Sequence, residues 1–329
     1  MTPPDFARLC LNLASPRLGA QATAASDEFF AAKERIIVDA PAVFVPDKYD
    51  DHGKWMDGWE SRRRRDGGHD FCIVKLGARG RIRGVDIDTS HFTGNYPPAA
   101  SIEACLSDTD PTPDAPWTEI LAASPLGPSA HHFFPIKSDE PWSHVRLNIY
   151  PDGGIARLRI YGEPVPAWDV FDRKSVHELS LAANGGRIVG YNDAHYGTVW
   201  TLITSGRGIN MGDGWETRRR REPGNDWIIV KLGAPGIVEE VEVDTCHYKG
   251  NYPDACSLQA ALVTTGTDSS IITQSMFWDE LMGRRKLQMD HIHRFSGKDI
   301  AATGAVSHVK LNIYPDGGVS RFRVFGRLA

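Results

Sequence analysis

Asp57-Gly58-Trp59-Glu60-Ser61 runs into four arginines, Arg62 to Arg65, and the block returns as Asp213-Gly214-Trp215-Glu216-Thr217 followed by Arg218 to Arg221. Other blocks return in the same order. Asp88-Thr89, His91 and Gly94-Asn95-Tyr96-Pro97 match Asp244-Thr245, His247 and Gly250-Asn251-Tyr252-Pro253. Ser143 to Gly154 matches Ser307 to Gly318, with Lys310 replacing Arg146. A period close to half the chain is far too long for a solenoid unit, so the chain reads as two copies of one domain. The copies are assigned to residues 1–162 and 181–329. Between them, residues 163–180 form a linker in which Pro164 and Pro166 hold the backbone extended. Trp168 and Phe171 suggest that the linker packs against a domain.

Each copy reads as all-β. Phe71-Cys72-Ile73-Val74-Lys75-Leu76 and Trp227 to Leu232 are short β-branched or aromatic runs closed by Gly77 and Gly233. Val85 to Thr89 and Val241 to Thr245 alternate apolar and polar residues, as half-buried strands do. Val145 to Tyr150 alternates too, then meets the turn signal Pro151-Asp152-Gly153-Gly154, and Arg157 to Tyr161 resumes the alternation. These two segments are expected to form a hairpin. Short strands at this spacing with Gly/Pro-rich turns predict an antiparallel sandwich in each half. Trp117 to Leu121 and Trp278 to Met282 are expected to form one helical turn each.

The bulk numbers narrow the function. At 329 residues the chain is long enough for two domains with separate cores. A formal charge of −5 argues against nucleic acid or an anionic membrane as partner, despite the arginine runs. Five cysteines, none at equivalent repeat positions, exclude a symmetric disulfide framework and point to reduced thiols in a cytoplasmic protein. The N-terminus has no basic stretch ahead of its short apolar segment, so a signal peptide is not expected. No apolar run approaches the roughly 20 residues needed to cross a bilayer.

The residues kept in both copies are the candidates for chemistry. If the arginine run enters a strand, Arg62 and Arg64 share one face and Arg63 and Arg65 the other, with Arg218 and Arg220 equivalent to the first pair. A guanidinium pair can clamp a small anion's carboxylate, or it can serve internal carboxylates. Glu60 and Glu216 are either acid/base groups or the arginines' partners. His91 and His247, each three residues after Asp88 or Asp244, can act as acid or base near neutral pH, or can tie down a loop. A divalent cation is possible there, but one Asp and one His are too few ligands to define a site. His132 and His293 align in the two copies within a block that core packing largely explains. Asn95, Tyr96, Asn251 and Tyr252 complete the candidates as hydrogen-bonding groups. No Gly-x-Ser-x-Gly, His-Glu-x-x-His or Cys-x-x-Cys occurs, so covalent catalysis and structural zinc have no support in the sequence. Ser26-Asp27-Glu28-Phe29-Phe30 corresponds to Asn192-Asp193-Ala194-His195-Tyr196, so the copies differ where one site can be live and the other decayed.

In these motifs and their order, over nearly the whole chain, the sequence resembles the allantoicase family. The resemblance implies two jelly-roll sandwiches of the galactose-binding-like type in an oligomeric cytosolic enzyme. It also implies hydrolysis of allantoate to (S)-ureidoglycolate and urea in allantoin degradation. Against that chemistry, Arg62 with Arg64, or Arg218 with Arg220, would hold the substrate carboxylate, and His91 or His247 would be the base. Glu60 or Glu216 would protonate the departing urea, while the Asn/Tyr pairs and Asp88 and Asp244 would contact substrate. The alternatives are a non-catalytic sugar- or ureide-binding tandem sandwich, and a hydrolase of a related ureide.

Overall fold

In the computed structural model, which describes residues 2–329, the chain divides into two units at Val165/Pro166. Each unit is built on one 19-residue strand, Asp70–Asp88 in the first and Asp226–Asp244 in the second. The first half of Asp70–Asp88 pairs with Gln21–Ala25 on one side and Pro141–Tyr150 on the other. Pro141–Tyr150 continues to Ala99–Cys105 and then to the edge strand Thr118–Pro125. The second half pairs with His131–Pro135 and with Arg157–Pro164, which carries Leu11–Asn12 at its outer edge. All pairings are antiparallel. One strand therefore serves both sheets of a sandwich, and the second unit repeats the plan around Asp226–Asp244. The architecture is the expected all-β tandem of jelly-roll sandwiches.

The alternating strands bury one face each. Ile73, Ile87, Ile102, Val145, Leu147, Leu158 and Ile160 are fully buried in the first unit. Burial of this kind, at roughly 25 cal/mol per Å² of apolar surface, is the main force holding each sandwich.

Three local expectations fail. The two short strands read around Gly77 are one continuous strand. Gly77 is small because its backbone passes Leu18, where a Cβ would lie 2.5 Å from the leucine's Cβ, and not because a turn begins there. The expected hairpin is absent: Val145 to Tyr150 and Arg157 to Tyr161 pair with different halves of Asp70–Asp88, so the Pro151–Ala156 connection crosses between sheets. Thr118–Pro125 and Asp279–Lys286 are strands, since the open edges of Ala99–Cys105 and Ala255–Ala261 supply ladder partners that outweigh local propensity. The longest α-helix, Asp268–Gln274, was not anticipated; Thr267 caps it by accepting from the Ser270 N–H.

The linker expectation also takes a definite form, because Trp168 donates its indole N–H to the Gly233 carbonyl at 3.1 Å and packs at a tilt against Phe171. Nearby, Glu178 sits half-buried 3.8 Å from Arg323. Burial pushes its carboxyl up to about 7, Arg323 opposing and Glu242 reinforcing the rise. With the folded value above the unfolded one, its contribution to stability is full below about pH 4.5 and is lost as pH rises through 7. Glu178→Gln is therefore expected to raise the melting temperature at pH 8 and to leave it nearly unchanged at pH 4.5. The difference should be on the order of 2 kcal/mol, and equal gains at both pH values would contradict it.

Candidate active site

The repeated Asp-Gly-Trp-Glu block forms a junction at the loop end of each sandwich. Asp57 accepts a hydrogen bond from the buried Arg157 guanidinium at 2.7 Å, and Asp213 accepts one from Arg321 at 3.0 Å. Gly58 lies so close to the crossing connection that a Cβ would sit 2.4 Å from the Ile155 carbonyl oxygen. Trp59 is fully buried and donates to the Asp27 carbonyl at 2.8 Å; Trp215 does the same to Asp193. The two-residue strand Trp59–Glu60 pairs with Gly154–Ile155, and Ala31 bridges Glu60 from the other side. Ser61 closes the junction: its backbone N–H donates to the Gly153 carbonyl, and its Oγ accepts from the Gly153 N–H.

These contacts put Glu60 in the wall of a cavity of about 480 Å³. Its other walls are Phe30, Arg63, Arg64, the Asn95–Tyr96 loop and the Asp152–Gly153 turn. The Asn95 side-chain amide donates to Glu60 Oε1 at 2.7 Å, while the Asn95 backbone carbonyl accepts from the Gly154 N–H at 2.7 Å. Burial raises the Glu60 carboxyl above its ordinary value; the Asn95 hydrogen bond opposes the rise and the charge of Asp50 adds to it. A carboxylic acid biased toward its protonated form is suited to proton donation. In the second unit Asn251 likewise bonds Glu216, and Tyr252 follows it in the loop. There the strand Tyr196–Gly197 lies along Trp215–Glu216, and Glu216 is 9% exposed.

The arginines divide differently from the expected pairs. Arg62 donates to Asp27 through its backbone N–H at 3.0 Å and its Nε at 2.7 Å, with the guanidinium 5.1 Å from the Phe29 ring. Burial raises the Asp27 carboxyl, but these Arg62 bonds and the Phe29 N–H outweigh it, so Asp27 titrates below its ordinary value. Arg64 lines the cavity, but its guanidinium is occupied by Asp66 at 2.7 Å and Asp70 at 2.6 Å. Arg218 and Arg220 are held in the same way by Asp193 and Asp226. Each arginine of the expected pairs thus already donates to an internal carboxylate, although Arg62 and Arg218 keep most of their side chains exposed. Arg63 also lines the cavity, and it makes no ion pair among the described residues.

The histidines are placed as anchors. His91 and His247 adopt left-handed backbone, φ 70° and 71°. Their Nε2 atoms hydrogen-bond the Ala42 and Gly208 carbonyls at 3.2 and 2.8 Å, and the His91 ring stacks on Phe44. His91 is not in the cavity wall. Asp88 and Asp244 are buried and accept from the Ser90 and Cys246 N–H groups; Asp244 also pairs with Arg207 at 3.1 Å. Neither aspartate bonds its histidine; each holds its own turn. His132 and His293 each bond a strand carbonyl through Nδ1 and accept a backbone N–H through Nε2, which fixes them as structural groups. Among the described residues, no group of three or more His, Cys, Asp or Glu is placed to hold a metal ion.

Two features escaped the sequence reading. Arg157 and Arg321 recur at the first position of the matched strands Arg157–Pro164 and Arg321–Leu328, and both are buried against a carboxylate. Alternation sets Arg63 with Arg65 on the face opposite Arg62 and Arg64, but residues 61–65 are irregular and alternation does not decide their directions. The cysteines are free; burial pushes the Cys256 thiol up to about 12 and Cys72 further, so neither is a ready thiolate.

Fold and cavity together define a tandem jelly-roll protein with a cavity lined by Glu60, Asn95 and Arg63. The family model described as allantoicase repeat matches residues 11–165 and 177–329, and the chain belongs to the allantoicase family. The Burkholderia mallei protein named "Probable allantoicase 1" is 58% identical over 326 residues, covering 99% of this chain and 96% of that protein. The "Probable allantoicase" of Rhizobium meliloti is 56% identical, covering 99% and 96%. The crystal structure of allantoicase from Saccharomyces cerevisiae superposes with a TM-score of 0.78 at 36% identity, covering 96% of this chain and 93% of that one.

Proposed function

We propose that the chain, an allantoicase, hydrolyses allantoate to (S)-ureidoglycolate and urea in the Glu60 cavity of its first unit. The observation that carries the assignment is the half-buried Glu60, whose carboxyl burial raises above its ordinary value, hydrogen-bonded to Asn95 in a cavity that also presents Arg63, which makes no ion pair among the described residues. Allantoate carries a carboxylate and two ureido groups on one carbon, and one C–N bond to that carbon breaks. Arg63 holds the carboxylate. Protonated Glu60 gives its proton to the departing nitrogen as the C–N electron pair leaves with urea. The lone pair of the remaining ureido nitrogen then forms a C=N bond. Water attacks that carbon, and the Glu60 carboxylate takes the water's proton, so the acid is regenerated without an acyl intermediate. Asn95 and Tyr96 hydrogen-bond the ureido groups, and Arg62 and Arg64 hold the walls.

The direct test is incubation of the purified protein with allantoate. One urea per allantoate consumed supports the assignment, whereas saturable binding without urea identifies a non-catalytic ureide-binding protein. Running the assay with and without EDTA reports any need for a divalent cation. Arg63→Ala is expected to raise KM for allantoate by about 10- to 100-fold, the equivalent of losing one charged hydrogen bond of roughly 1.5–3 kcal/mol. An unchanged KM would remove Arg63 from the site.

A further inference from the structure

The first unit carries ten residues that the second lacks. Asp27 and Asp193 stand 166 positions apart, but Asp57 and Asp213 only 156. The extra length lies between Val38 and Asp57 and folds as a hairpin, Tyr49–Asp50 against Gly53–Lys54. Its feet are fixed. The Val43 N–H donates to Asp57 at 2.9 Å, and His91 binds the Ala42 carbonyl and stacks on Phe44. The Trp55 N–H donates to the Lys48 carbonyl at 3.0 Å, and the Lys48 ammonium lies 3.6 Å from the Trp55 ring centroid. The two histidines thus do one job in both units, tying down this connection, but only the first has a hairpin on it.

The tip points to the cavity. The His52 ring stands edge-on to Phe29 with centroids 4.4 Å apart, and Phe29 packs on Phe30, a wall residue, at 5.1 Å. The His52 N–H donates to Asp50 Oδ1 at 3.0 Å, which sets the tip. Asp50 is exposed, and its charge reaches Glu60. A carboxylate next to a half-buried acid destabilises that acid's ionised form, and it gains favourable partners only when N–H donors occupy the space between. The ureido groups of allantoate are such donors.

We propose that the hairpin Tyr49–Lys54 covers the Glu60 cavity and that Asp50 is a specificity-determining residue, accepting hydrogen bonds from the substrate's ureido N–H groups. This makes the first unit the working one, and it rests on the cavity assignment above. Asp50→Ala is expected to raise KM for allantoate about tenfold while the melting temperature stays unchanged. Asp51→Ala, one residue along on the same tip, should leave KM unchanged. Amide exchange in the Glu60→Gln protein, where bound allantoate persists, separates the two levels of the proposal. Slowed exchange at both residues 95–96 and residues 49–54 supports the cover. Protection at residues 95–96 alone, or an unchanged KM in Asp50→Ala, overturns it while the cavity stands. Protection at neither segment overturns the cavity assignment and the cover with it.

Discussion

Glu60→Gln should lower kcat for urea release from allantoate by 10²- to 10⁴-fold, the usual range for removing a positioned acid/base group. The amide keeps the shape of the side chain and an oxygen for the Asn95 donor, now at 2.7 Å from Glu60 Oε1, so the cavity and KM should change little. Glu216→Gln should cost much less, because Glu216 is only 9% exposed and its connection lacks the hairpin. In the parent protein, kcat should fall as pH rises through the raised Glu60 value, since the proton donor is then lost. Asp50→Ala should move that fall to lower pH, because Asp50 helps to hold the proton. A Glu60→Gln protein within fivefold of the parent would transfer the acid role to another group.

The architecture was legible because alternation and duplication act over many residues. One repeated block cannot be misread twice, and Ile73, Val145 and Leu158 alternate strongly enough to define buried faces. Pairing was less legible. Val145 to Tyr150 and Arg157 to Tyr161 look like neighbours in the chain, and only the length of Asp70–Asp88 shows that each finds a different half of one strand. The site was half legible for a related reason. Glu60, Asn95 and Tyr96 line one cavity, whereas the sequence grouped Asn95 and Tyr96 with Asp88 and His91. Recurrence, however, marks structural fasteners as readily as chemistry. His91, Asp88 and Arg62 each tie a loop in both copies, and Arg63 is separated from Arg62 and Arg64 only by which carboxylates lie nearby. The hairpin at Tyr49–Lys54 is present in one copy, so comparison of the repeats did not bring it out.

The second large effect concerns the buried pairs. Arg157 and Arg321 are each 2% exposed, and each donates to an aspartate of the repeated block and to backbone carbonyls around it. Replacing Arg321 with Met removes the cation facing Asp213 while keeping most of the volume, and should destabilise the second unit by about 3–5 kcal/mol. For a unit of this size that lowers its melting transition by roughly 10 °C or more. Adding Asp213→Asn should recover part of the loss, because much of the cost is the uncompensated buried charge and not the missing contact. If the double variant is no better than Arg321→Met alone, the arginine acts by filling space. The equivalent Arg157→Met carries a second consequence. Asp57 also accepts the Val43 N–H at the foot of the hairpin and precedes Glu60 by three residues. At a temperature where both variants are folded, Arg157→Met should therefore lower kcat/KM for allantoate, and Arg321→Met should do so far less. Equal losses would mean that the two units share the work of catalysis.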